Sequence, residues 1–203
     1  MLHRILRTLV LAFATLTFSF TIISADDKPP KVEKPKQLEP AKCGKVQQLH
    51  VLDDIYLAGQ PSKDDFKAFK ERGVKSVVNL RTKEELDWDK AKVLKELDLE
   101  YHHIPIKSAD ALTDETFDKL RKLFNNRDER PLLVHCAVAS RVGAVWLAHR
   151  VLDDGVNYDA ALVEAKTVGL KHPALEAKAK DYIARQKSKK PPADSDAKND
   201  PKK

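Results

Sequence analysis

Pro131-Leu-Leu-Val-His-Cys-Ala-Val-Ala-Ser-Arg-Val-Gly143 decides the reading of this chain. Residues 131–135 form a short continuous apolar run, as a strand buried on both faces does. Arg141 opens a stretch that reaches Asp154 and stops at Gly155, which reads as a long helix. Between them lies a tight loop with Cys136 at the strand end and Arg141 at the helix start. A loop this short turns its backbone N–H groups inward and makes an anion-binding concavity, formed by Ala137, Val138, Ala139, Ser140 and Arg141. The positive end of the helix points at the same spot, which favours the Cys136 thiolate as a nucleophile. The Arg141 fork binds two oxygens of an oxyanion. A buried core cysteine is the plainer alternative, but such a cysteine needs neither the corner nor an arginine beside it.

The pattern around this corner is periodic. Strands are expected at 46–52, 55–58, 74–80 and 99–106, and helices at 63–72, 158–168 and 173–186. Thr82 is expected to cap a helix through Asp98, and Thr113 caps another that turns Phe117, Leu120 and Phe124 inward. Alternating strands and helices predict an α/β fold with a mostly parallel central sheet flanked by helices. In such sheets ligands sit beyond the carboxyl ends of the strands, so the loops after Ile106 and His135 are the candidates for a site.

The 203 residues carry a net charge of +6, but not evenly. Residues 46–186 hold 23 Lys+Arg against 24 Asp+Glu, a net of −1. The excess sits in three flanks: +2 in 1–25, +2 in 26–45 and +3 in 187–203. A near-neutral folded part excludes a nucleic-acid-binding domain, whose basic footprint lies on the folded face. Residues 1–25 have a basic start, an apolar run from Leu9 to Ile23 and Ser24-Ala25 before the first acid, which reads as an export signal cleaved after Ala25. A membrane association follows only if that segment stays uncleaved. The mature protein is then periplasmic or secreted. Residues 26–45 and 187–203, rich in Lys and Pro, lack the apolar content to offset ordering entropy and are read as a disordered linker and tail.

Four further segments extend the pattern: Leu57-Ala-Gly-Gln-Pro61, Gly73-Val-Lys-Ser-Val-Val-Asn-Leu-Arg81, Tyr101-His-His-Ile-Pro-Ile106 and Arg141-Val-Gly-Ala-Val-Trp146. With His135-Cys136 they resemble, in this order, the beta-lactamase-hydrolase-like, phosphatase-like family of the Cys-based dual-specificity and tyrosine phosphatase superfamily, over residues 47–185. The resemblance implies a dual-specificity-phosphatase-like fold over the domain at 46–186. It also implies a protein-tyrosine or dual-specificity type of phosphatase chemistry without a cofactor.

Two departures bear on the chemistry. Four residues separate Cys136 from Arg141, where phosphatases of this superfamily usually have five and rhodanese-type sulfurtransferases have four. The loop also has no Gly, and Ala at a positive-φ position costs about 1 kcal/mol, so a changed loop shape is expected. Three functions remain open: a phosphatase, a sulfurtransferase or persulfide-handling protein with Cys136 as sulfur carrier, and a non-catalytic anion-binding module. The substrate is a phosphorylated or sulfur-containing small molecule or protein, and a monomer is expected.

A phosphatase needs a proton donor for the leaving oxygen, and Asp110 in the loop after Ile106 is the candidate. His135 is expected to orient the loop rather than act as a base, because adjacent strand side chains point to opposite faces. The same alternation keeps His102 and His103 from chelating together, and no metal site is read. Gln60 and Arg81 end strands and are candidates to line the pocket, though Arg81 can pair instead with Glu84 or Glu85. Cys43, in the linker, is either a redox partner that reaches Cys136 or a free or intermolecular thiol.

Overall fold

A computed structural model describes residues 37–189. The export segment 1–25, the first part of the linker and the tail beyond 189 lie outside the described residues. Six strands form one sheet in the order β1-β2-β3-β6-β4-β5: β1 Glu39–Pro40, β2 His50–Leu52, β3 Ile55–Ala58, β4 Ser76–Asn79, β5 Glu100–His103 and β6 Leu132–His135. β3, β6, β4 and β5 are parallel, while β1 and β2 add an antiparallel edge. Ala58, Asn79 and His103 are in register with His135 or with each other across the parallel strands. All four strand ends therefore open onto one edge, and Cys136 is the first residue beyond the central one.

The helices cover the two faces. α1 Lys63–Glu71 and α2 Lys90–Glu96 pack on one side, through Phe66, Phe69 and Leu94 against Ala58, Val77 and Leu133. α3 Asp114–Asn125, α4 Ser140–Leu152, α5 Tyr158–Val168 and α6 Pro173–Lys189 pack on the other. Ten of the thirteen α4 residues are buried, His149 and Arg150 among them, so this largely apolar helix is enclosed on nearly every side, as a central helix is. Gly143 lets α5 close on it: a Cβ there would lie 2.6 Å from the Ala165 carbonyl oxygen. At the far end of α4, Arg121 of α3 grips Asp153 with two bonds of 2.7 Å and reaches the Tyr182 hydroxyl on α6.

The expected helix from Thr82 to Asp98 is instead two pieces. Lys83–Glu85 form one 3-10 turn, and α2 begins only after Asp89, whose side chain accepts from the Lys92 N–H at 3.0 Å. The break has a tertiary cause, because Glu85 is drawn to Arg141 as described below.

Residues 37–45 also differ from the disordered linker read in the sequence. β1 pairs with β2, and Cys43 is buried in the core. The anchor is Asp65. Its carboxylate accepts the Lys45 N–H at 2.7 Å and the Ser62 N–H at 2.8 Å, closing a capping box with Ser62 at the start of α1. Burial pushes this carboxyl up, and those bonds more than offset it, leaving it below its ordinary value. Gly44, at φ +57°, is required here because a Cβ would lie 1.9 Å from the Asp65 carboxylate oxygen. Asp65→Ala removes the cap and the clamp on residues 43–45, and should lower unfolding free energy in urea by about 2 kcal/mol. An unchanged midpoint would show that the segment holds without it.

Candidate functional site

The loop from Cys136 to Arg141 closes at Ala139, which takes φ +58° and ψ 2° and precedes the first turn of α4. The loop thus places an alanine in the left-handed conformation, and the cost expected for a loop without glycine falls on Ala139. Neighbours enforce it. Gly169, after α5, packs so close that a Cβ there would lie 2.9 Å from the Ala139 Cβ and 3.0 Å from the Val138 carbonyl oxygen. The Lys171 N–H donates to Ser140 Oγ at 3.3 Å. On the other side the Gln60 N–H donates to the Ala137 carbonyl at 3.1 Å. Val138 is the exposed apex, at 64%.

Arg141 is held from three directions. Nη1 donates to the Leu80 carbonyl at 3.0 Å and the Ile106 carbonyl at 2.9 Å, and Nη1 and Nη2 grip the two Glu85 carboxylate oxygens at 2.8 and 2.7 Å. The Arg141 bonds hold the Glu85 carboxyl down to about 2. The guanidinium has five N–H donors, and its end-on fork goes to Glu85. Nε–H and the second N–H of Nη2 form the side-on fork and are not taken by these partners. Cys136 interacts electrostatically with Arg141 and strengthens its positive charge, after the larger effect of Glu85. Cys136 itself is 1% exposed, at the floor of the loop. The parts together are a thiol, a set of N–H groups at a helix start and a fixed guanidinium edge, which suit a bound oxyanion.

His135 is fully buried and faces the other side of the sheet, edge-on to Phe66 at 5.6 Å. Burial, reinforced by the Lys90 charge, pushes it down to about 3, so it is neutral. Its Nδ1 reaches the Cys136 carbonyl at 3.5 Å, in keeping with an orienting role. Gln60 acts on the loop through its backbone. Arg81 turns from the pocket and donates to the Glu85 carbonyl oxygen, while the Glu85 carboxylate serves Arg141. His102 pairs with Glu129 and His103 bonds the Arg81 carbonyl, so the two rings go separate ways. No cluster of metal-binding side chains occurs among the described residues.

Two sequence candidates are not brought to the site. Asp110 is on a 3-10 turn with its side chain 88% exposed and paired to Lys178 at 2.9 Å. It does not line the cavity beside Arg141, which is built from residues 106–109 of the same loop. Cys43 and Cys136 are both free thiols, and they belong to cores on opposite faces of the sheet. The redox partnership of Cys43 is therefore corrected: the Asp65 clamp fixes it in the α1 face, where burial pushes its thiol up. The sequence reading missed Glu85 as the partner of Arg141 and the 169–172 segment as the brace of the loop. Glu85 is three residues beyond the helix-capping Thr82, a spacing already satisfied by a local capping box.

The family model described as "DSP-PTPase phosphatase fused to NAD+ Kinase" matches residues 41–186. The chain belongs to this family of phosphatase-like hydrolases. Solved structures share the fold at low identity. A DUF442 protein from Shewanella putrefaciens CN-32 is 18% identical, with TM-score 0.58, covering 70% of this chain and 94% of its own. TpbA from P. aeruginosa is 23% identical with TM-score 0.58, over 74% and 91%. The core catalytic domain of the PP-IP phosphatase SIW14 from S. cerevisiae is 19% identical with TM-score 0.59, over 73% and 95%. No curated protein matches in sequence.

Glu85→Gln keeps the shape of the clamp but removes its charge. It should lower kcat/KM for an aryl phosphate by about 10- to 100-fold through a misplaced guanidinium. The folded-state carboxyl is depressed, so the stability it contributes is complete above its ordinary value of 4.5 and is lost as pH falls toward about 2. Thermal unfolding should therefore separate wild type from Glu85→Gln at neutral pH and bring them together near the acid end.

Proposed function

We propose that the protein is a Cys-dependent phosphomonoester hydrolase. The observation that carries this reading is Arg141, fixed by Glu85 and two carbonyls beyond the strand ends and interacting with the Cys136 thiol. The Cys136 thiolate attacks phosphorus, and the loop N–H groups with Arg141 hold the equatorial oxygens as charge builds on them. The substrate class is a phosphate ester on a small molecule or protein. TpbA has been solved as a cysteine-to-serine variant with pTyr and SIW14 is described as a PP-IP phosphatase, so both kinds of phosphate belong in the assay panel. The export reading of residues 1–25 places this activity outside the cytoplasm. The mature protein from its native host should begin at Asp26 by N-terminal sequencing, and retention of Met1 would reject that placement.

The four-residue spacing between Cys136 and Arg141 favours a second reading, sulfur transfer with a Cys136 persulfide. One paired experiment decides between them. Aryl-phosphate hydrolysis and thiosulfate-to-cyanide transfer are measured on wild type and Cys136→Ser. Hydrolysis should be present in wild type and fall by at least about 1,000-fold in Cys136→Ser. A persulfide mass shift on Cys136 with sulfur transfer and no hydrolysis would replace the first reading with the second.

A further inference from the structure

The α1 and α2 face of the sheet holds a second group of cations. Lys90, the first residue of α2, is 1% exposed. Its Nζ lies 4.0 Å from the centre of the Trp88 ring and 5.8 Å from that of Phe66. It has no hydrogen-bond partner among the described residues. Arg81 is its neighbour in charge: Nη2 donates to the Glu85 carbonyl oxygen, while Nε is buried and without a partner. Both cations also act on His135, whose ring packs on the same Phe66. Lys63 adds a further positive charge, 5.3 Å from the centre of the Trp88 ring. The acids nearby do not pair with Lys90. Glu85 gives both carboxylate oxygens to Arg141, and Asp87 is exposed and acts on the amine only through space. Burial, and then the Arg81 charge, push the Lys90 amine down to about 8 against the opposite pull of Asp87. An ammonium taken out of water is costly unless a counter-charge and acceptors meet it. The Trp88 face offsets part of that cost, but a ring gives no acceptor to three N–H donors.

We propose that Lys90 and Arg81 form a binding site for a small inorganic anion of the halide class, with the Lys90 ammonium and the Arg81 Nε–H as its donors. The enclosure of the amine by Trp88 and Phe66 favours an ion of one atom over a larger oxyanion. The ion supplies the missing counter-charge and ties Arg81, just beyond β4, to the start of α2 across the non-helical residues 86–89. Its donors are not those of the Cys136 loop, so the site stands whether or not the protein is a phosphatase.

The test is thermal unfolding of the full chain near neutral pH and at fixed ionic strength, with sodium gluconate replaced stepwise by sodium chloride. The wild-type midpoint should rise with chloride along a saturating curve, by about 3 °C at the plateau. Lys90→Met keeps the length of the side chain, needs no counter-charge and should show no chloride response. Arg141→Lys, altered in the Cys136 loop, should respond as wild type does. Trp88 gives a second readout that does not depend on stability. In a Trp146→Phe background its emission should change with chloride over the same range, and that change should vanish in Lys90→Gln. Equal wild-type midpoints in the two salts, a full response in Lys90→Met, or a Trp88 signal that persists in Lys90→Gln would overturn the assignment. A response lost in Arg141→Lys and kept in Lys90→Met would place the ion at the Cys136 loop instead.

Discussion

One guanidinium ties the site together. Arg141 sits in the first turn of α4 and bonds the carbonyls of Leu80 and Ile106, each beyond the end of a different parallel strand, and the Glu85 carboxylate from the turn between them. A half-buried arginine is costly unless its donors are satisfied, and here the cost is offset by four charge-assisted bonds. The result is that three loops, from three parts of the chain, are tied to one guanidinium. Because Glu85 takes the end-on fork, the remaining edge of the guanidinium has its direction set before any ligand arrives. Such preorganisation is what electrostatic stabilisation of a developing oxyanion requires.

The same corner stores strain. Ala139 takes a left-handed conformation that costs an L-residue about 1–2 kcal/mol, and it persists because Gly169, Lys171 and Gln60 surround the loop. The sheet supplies the rest of the rigidity. The parallel register brings Ala58, His135, Asn79 and His103 level, so the loops that follow these strands meet at one edge. His135, buried and neutral on the far face, holds the back of the Cys136 peptide while leaving the thiol side to the loop and Arg141.

Much of this was legible from residue pattern. The continuous apolar run of β6, the largely apolar α4 and the start signals Ser62, Thr113 and Pro173 are local signals, and each of these elements stands within a few residues of its expected place. The helix expected from Thr82 failed because Glu85 has two competing uses, a helical turn and the Arg141 ion pair, and the pair is made with a residue 56 positions away. Cys43 failed for a similar reason. Its surroundings are polar in sequence, yet a single carboxylate, Asp65, collects the Lys45 amide and pulls the segment into the core.

The sequence by itself determined the α/β class and the strand–loop–helix corner with Cys136 at its strand end and Arg141 at its helix start. These depend on hydrophobic period and on residues adjacent in the chain. Only the tertiary structure decided what holds Arg141, where Cys43 and Asp110 lie, and that Gly169 and Lys171 brace the loop. Those choices are made by long-range bonds and close contacts, Glu85 to Arg141, Asp65 to Lys45 and Gly169 to Ala139. Their energies depend on distances that no local pattern encodes.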